Sequence, residues 1–318
     1  MTTRVLCVGE CMVELTHVDD QTLRLGFAGD TYNTAVYLAR VAGELGLDVE
    51  VGYLTGLGAD DYSRAMREAW GAEGVRDRSL TVPDRIPGLY AVRTAADGER
   101  SFTYWRNESA ARALFADTAW CAQLGGDLIH LSGITLQLAS PPAREALVAR
   151  LRELRAGGTR VSFDTNYRAS GWTSAHEAAA AMAQICAIAD MVLASREDEE
   201  QLHGSRSPQE SIHGLETLGV REAVLRDGAH GAYVGGGDSV EHVPATRVDR
   251  VLDTTAAGDA FAGGYLAARL AQASAASAAA LGNAVAAVVI QQPGAIAPPE
   301  IRLLEPGQAR RSSDVTTT

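Results

Sequence analysis

The chain contains no lysine: all 28 of its basic residues are arginine. That absence excludes every mechanism built on an ε-amino group, including the P-loop lysine, the strand lysine of protein kinases, and Schiff-base or pyridoxal-phosphate lysines. Phosphate chemistry in this chain has to rest on arginine, helix N-termini and metal. Cysteine is scarce as well. Cys7, Cys11, Cys121 and Cys186 form no C-x-x-C pair, which removes zinc-ribbon and thioredoxin-type motifs, and Cys7 and Cys11 read as ordinary buried thiols. The seven histidines form no H-E-x-x-H motif. Positive charge is in deficit, 28 basic against 40 acidic residues for a formal charge of -12. A non-specific nucleic-acid binder needs a basic face, so that class is excluded. No apolar run approaches the roughly 18 residues of a membrane span, and the first residues lack the apolar core of a secretory signal. These absences lead us to expect a soluble, cytoplasmic protein with neither membrane nor nucleic-acid partners.

What is present is a rhythm of short apolar strands and amphipathic helices. Arg4–Gly9, Val49–Leu54, Asp127–Leu131, Arg160–Asp164, Asp190–Ala194 and Ala223–Arg226 read as buried strands. Helices are expected over Thr34–Leu47, Tyr62–Trp70, Pro142–Arg155, His176–Ala187, Pro208–Leu218 and the Ala-rich but periodic Ala271–Val289. Alternation of this kind predicts an α/β fold with a mainly parallel sheet covered on both faces. We expect one domain over residues 1–310, followed by a disordered tail at 311–318.

Two stretches break the rhythm: Met12–Phe27 and Gly88–Asn107. With no helix inside it, the second cannot supply ordinary members of a parallel sheet. It reads as a hairpin about Asp97-Gly98, in one of two registers. A two-residue loop sets Tyr90 opposite Trp105. A three-residue loop with Gly98 left-handed sets Tyr90 opposite Tyr104 and Val92 opposite Phe102, and we favour this register. Together the two stretches predict a small β-flap lid.

The strongest chemical signal is DTTAAGDAFAGGYLAARL (Asp253–Leu270). A Thr/Gly-rich turn opens a helix and points free N–H groups outward, where the helix dipole favours negative charge. The small residues Ala256, Ala257 and Gly258 let an anion approach the backbone closely. Asp259 would then be a carboxylate held beside an anion, useful as an acceptor of a proton from an attacking hydroxyl. Spacing alone leaves the simpler possibility of an acidic residue in a helix's first turn.

This segment resembles the C-terminal signature of the PfkB/ribokinase family of sugar kinases, D-T-x-G-A-G-D, with Ala256 where glycine is usual. The resemblance extends to AGDTYNTAVYLARVA (Ala28–Ala42), GLGADDYSRAMREAWGAEGV (Gly56–Val75), FDTNYR (Phe163–Arg168) and RDGAHGAYV (Arg226–Val234). It implies a ribokinase-like three-layer α/β/α sandwich that uses ATP and Mg²⁺. Within the family, GECMVEL, GDTYNTAVYLAR and SFTYWRNESAAR (Ser101–Arg112) look most like 2-keto-3-deoxygluconate kinases. A sugar acid needs a cation for its carboxylate, and arginine offers a planar two-point fork. Tyr104 and Arg106 are two residues apart, so they share a strand face, and Tyr90 joins that face in the favoured register.

The resemblance places Gly29, Asp30, Asn33, Tyr90, Tyr104, Arg106, Arg168 and Asp259 at the sugar acid. It places Asn166, Ser195, Arg226, Gly228, Gly231, Gly258 and Asn283 at the nucleotide. Ala256, Ala257 and Gly258 form its anion hole. Asp198 stands where the family pattern has glutamate, and would meet Mg²⁺ through water. Ketodeoxygalactonate kinase and fructokinase remain alternatives within the family, and a non-catalytic sugar or nucleotide sensor is an alternative outside enzymology. The aromatic face of the flap leads us to expect a homo-oligomer, a dimer or larger, formed through it.

Overall fold

The computed structural model describes residues 1–94, 100–236 and 239–305. The expected tail and the tip of the hairpin lie outside the described residues. Nine strands form the central sheet. In spatial order they are Val240–Val243, Ala232–Gly235, Glu222–Arg226, Met191–Ser195, Arg160–Asp164, Leu128–Ser132, Thr3–Val8, Val49–Leu54 and Val75–Asp77. The seven from Glu222–Arg226 to Val75–Asp77 are mutually parallel; the other two are antiparallel additions at one edge.

Alternation along each strand builds the layers, because successive side chains point to opposite faces. Leu6 and Val8 enter one core with Ile129, Leu131, Val161, Phe163 and Leu225. There they meet helical residues such as Leu147, Leu151, Met182 and Ile212. Val5 and Cys7 enter the other with Val51, Tyr53 and Leu193, against Tyr32, Val36, Leu38, Phe261 and Leu266. One sheet between two helical layers is the expected α/β/α arrangement. All four cysteines are buried and free, and no helix among the described residues is long and apolar enough to cross a membrane.

Most expected elements recur within two or three residues of their observed bounds. The first long helix begins earlier, at Asp30 rather than Thr34, since Gly29 already supplies its N-cap. The Ala-rich helix starts at Ala275, because Ser274 caps it by accepting from the Ser277 N–H. The helix Arg196–His203 gave no periodic signal: its sequence REDEEQLH holds one apolar residue.

A second sheet, ordered Leu23–Ala28, Met12–His17, Leu89–Thr94, Arg100–Trp105, forms the flap. Its hairpin adopts the favoured register, Tyr90 opposite Tyr104 and Val92 opposite Phe102. The hairpin is not an isolated two-stranded unit, however. Its inner strand pairs in parallel with Met12–His17. Tyr90 and Val92 also pack with Met12, Ala28 and Ala295. The flap's stability therefore does not demand a partner subunit.

Candidate active site

Open parallel sheets bind ligands beyond the carboxyl ends of their strands. Asp164, Ser195 and Arg226 are each the last residue of a strand, and all three line a cavity of about 1220 Å³. Ligand pockets usually fall near 300–1,000 Å³, so this one has room for more than one small substrate. The flap contributes Tyr90, Phe102, Tyr104 and, just past its last strand, Arg106. The turn Thr254–Asp259 forms the opposite wall.

At that turn the helix Ala257–Leu270 begins with Ala256 in the left-handed region, φ 60° and ψ 13°. The Ala257 N–H donates to the Thr254 carbonyl at 3.2 Å. That amide is engaged by the turn itself. Of the expected anion-hole amides, those of Ala256 and Gly258 have no acceptor among the described residues, and neither does that of Asp259, so these three remain available to an anion. An alanine held left-handed costs about 1–2 kcal/mol relative to its usual conformations. Ala256→Gly removes that strain while loosening the unfolded chain by about 0.4–1 kcal/mol. A net stabilisation of up to ~1 kcal/mol is expected, read as a higher urea midpoint at unchanged slope.

Asp259 lies on the cavity wall, its Oδ2 accepting from Asn33 Nδ2 at 2.8 Å. Burial raises its pKa to about 7, the charge of nearby Asp30 adds to the rise, and the Asn33 hydrogen bond pulls it back. It is a carboxylate balanced to take up and release a proton near neutrality. Gly29 brings the Asn33 helix close: a Cβ there would sit 2.1 Å from the Glu10 carbonyl oxygen.

A polar thread joins the two walls. Asn166 Nδ2 donates to Asp30 Oδ2 at 2.8 Å. The backbone N–H of Asn166, a residue at φ 27°, donates to Asp164 Oδ1 at 3.1 Å. Arg226 grips both oxygens of Asp164, at 2.7 and 2.8 Å, and donates to the Gly258 carbonyl at 2.9 Å. Arg226 is thus bound into the frame of the site at its base.

Two expected cavity residues carry protein partners that sequence reasoning missed. The Tyr90 hydroxyl donates to the Glu14 carboxylate, and Arg106 is ion-paired with buried Glu10, which also accepts from the Ser109 hydroxyl. Arg168 is more open: its side chain is 58% exposed and lies 4.0 Å from Asp198. Its Nη1 donates to the Tyr167 carbonyl. Arg112, also at the cavity, makes no ion pair among the described residues. It closes the SFTYWRNESAAR segment, six residues past Arg106 on a helix that turns back toward the cavity, and only that turn could have signalled it.

Asp198 is buried, and burial raises its pKa; it accepts from the Thr165 hydroxyl at 2.8 Å. Ser195 lines the cavity while its hydroxyl caps the next helix by accepting from the Asp198 N–H. Three expected nucleotide residues lie outside the cavity lining. Gly228 and Gly231 shape a turn at positive φ, and a Cβ on Gly231 would collide with the Val243 carbonyl. Asn283 donates to the carbonyls of Val243 and Pro244.

Residues 2–302 match the pfkB family of carbohydrate kinases. The chain belongs to that family. The 2-dehydro-3-deoxygluconokinase of Escherichia coli K12 is 42% identical over 309 residues, covering 94% of this chain and 99% of the relative. The enzyme of that name from Dickeya dadantii is 41% identical over the same shares. Among solved structures of the pfkB fold, Salmonella enterica aminoimidazole riboside kinase, complexed with aminoimidazole riboside and an ATP analogue, superposes with a TM-score of 0.79. It is 28% identical and covers 98% of this chain and 99% of that one. The Vibrio cholerae fructokinase bound to fructose, ADP and calcium gives a TM-score of 0.78 at 28% identity, with 92% and 94% covered.

Proposed function

We propose that the enzyme transfers the γ-phosphoryl group of Mg·ATP to the 6-hydroxyl of 2-keto-3-deoxygluconate. The observation that carries this reading is one cavity lined by the half-buried Asp259 carboxylate, by helix N-terminal amides with no acceptor among the described residues, and by Tyr104, Arg106 and Arg168. The 41–42% identity to enzymes named for this sugar acid supports it. The sugar lies between the flap and Asp30 and Asn33, with its carboxylate toward the arginines. Asp259 takes the proton as the O6–H bond breaks. The new O6–P bond forms as the bond to the β-phosphate breaks and ADP leaves. The amides of Ala256, Gly258 and Asp259 stabilise charge on the transferred group.

The donor set fits hydrated Mg²⁺. Both oxygens of Asp164 are held by Arg226, and the carboxylates beside Ser195 on the cavity lining are Glu197 and Asp198, of which Asp198 is the one at the family's glutamate position. Magnesium keeps most of its waters and takes one or two carboxylates along with phosphate oxygens. When bound it neutralises charge on the phosphates. No group of three metal-ligating side chains occurs among the described residues, so Asp198 would act through water. The nucleotide runs from the Gly258 turn past Ser195 and Arg226, toward the Gly228–Gly231 turn and Asn283.

ADP release measured across 2-keto-3-deoxygluconate, its galacto epimer and fructose tests the reading. Preference for the first is expected; preference for either other sugar reassigns the substrate, and silence with all three favours a sensor. Arg106 cannot be removed alone without stranding Glu10. The double variant Arg106→Gln/Glu10→Gln removes both charges together and should raise KM for the acid sugar by about 10–100-fold, the worth of a charged hydrogen bond. Affinity for the analogue whose carboxylate is reduced to an alcohol should hold. Equal losses for both would reject the carboxylate role.

We also propose a homodimer through the flap, whose outer part exposes Leu25 (49%) and Trp105 (59%). Sedimentation should give a dimer that Leu25→Glu/Trp105→Glu converts to monomer. A wild-type monomer at micromolar concentration would overturn it.

A further inference from the structure

A second concavity, of about 430 Å³, opens at the opposite edge of the central sheet, where the strands Arg160–Asp164 and Met191–Ser195 begin. Its wall holds four arginines: Arg152 and Arg155 from the end of the helix Pro141–Ala156, Arg160 at the first residue of its strand, and Arg221 just before the strand Glu222–Arg226. One carboxylate, Asp190, stands among them. Its Oδ1 receives Arg155 at 3.1 and 3.3 Å and lies 3.6 Å from Arg221, while its Oδ2 accepts the Val161 N–H at 3.0 Å. Both oxygens of Asp190 are thereby engaged by the protein. Arg152 and Arg160 make no ion pair among the described residues, and the Arg221 side chain is 74% exposed. The neighbouring acid Glu222 is turned away, bonded to Arg269 and Tyr265.

Four guanidinium groups around one carboxylate are conspicuous in a chain of formal charge -12. Gathering like charges in a hollow raises their mutual repulsion, and a bound anion relieves it. Guanidinium forks match phosphate oxygens two at a time, and the hollow is sized for a small molecule. We propose that this hollow is an anion site for a compact ligand carrying at least two phosphate-type charges, separate from the catalytic cavity. The Asp190 anchor fixes Arg155 and steers Arg221, and Arg152 and Arg160 supply the free donors.

Arginine modification by phenylglyoxal, quantified residue by residue by peptide mass spectrometry, tests this on the full chain with inorganic pyrophosphate as the probe. At a concentration ten times Kd, simple occupancy leaves about one-tenth of the sites open. Modification of Arg152 and Arg221 should therefore slow about tenfold, against an ionic-strength-matched chloride control. The exposed Arg64, on another helix, should be unaffected. In the variant Arg152→Glu/Arg221→Glu, protection of Arg160 should vanish while turnover of the sugar stays at the wild-type value. Absence of protection in the wild type, equal slowing at Arg64, or protection of Arg160 that survives the double reversal would each overturn the proposal. A turnover change in the double variant would overturn its separateness from the catalytic cavity.

Discussion

Asp259→Asn is expected to keep the sugar bound and to lower kcat by at least about 10²-fold, the lower end of what general-base help contributes. The exchange is nearly isosteric and keeps a polar atom toward Asn33. Among the described residues of the turn Thr254–Asp259, it removes the one carboxylate able to accept the acceptor hydroxyl's proton. The same carboxylate sets the acid limb. With its pKa raised to about 7 by burial and by Asp30, Asp259 is protonated below that pH and cannot accept a proton, so kcat/KM should climb as pH rises through about 7. The limb should disappear in the variant. Near-normal turnover of Asp259→Asn, or a wild-type profile flat from pH 5.5 to 8, would remove Asp259 from the mechanism.

The second large effect is on folding. Asp164 is buried and Arg226 largely so, their side chains 5% and 12% exposed, and they are joined by two hydrogen bonds. Deleting one member of such a pair strands the other's charge, at a cost of about 3–5 kcal/mol. Arg226→Met should therefore lower the urea-derived stability by that amount. Arg226→Met/Asp164→Leu, which removes both charges, should recover most of it. If the single variant lost under about 1 kcal/mol, as exposed pairs do, the pair would be no more than a surface contact.

The fold was legible because its strands are short, apolar and cleanly separated. Of the two hairpin registers the sequence left open, the favoured one, with Tyr90 opposite Tyr104 and Val92 opposite Phe102, is the one adopted. That Gly29, Asp30, Asn33 and Asp259 would share one cavity was likewise legible, since each sits near a helix N-terminus that the sequence marks with glycine. Partnerships across long separations were not legible. Nothing near Arg106 announces Glu10, which is brought to it by the pairing of Val13 with Leu89 one strand away. Nor does Arg226 announce Asp164, two strands distant in the sheet. The engagement of the Ala257 amide was not legible for a related reason: whether a first-turn N–H is free depends on how the preceding turn closes, and here the Thr254 carbonyl accepts it.

The thread Asp30–Asn166–Asp164–Arg226–Gly258 is made of protein groups alone. The fold itself therefore holds both halves of the site in mutual register. The ordering of these side chains is met during folding, so association is spared the rotamer entropy that a loosely hung site would surrender at each encounter. Preorganisation of this kind leaves more of the intrinsic contact energy visible as affinity, and it makes the frame, rather than the ligand, the keeper of the distance between the two reacting partners.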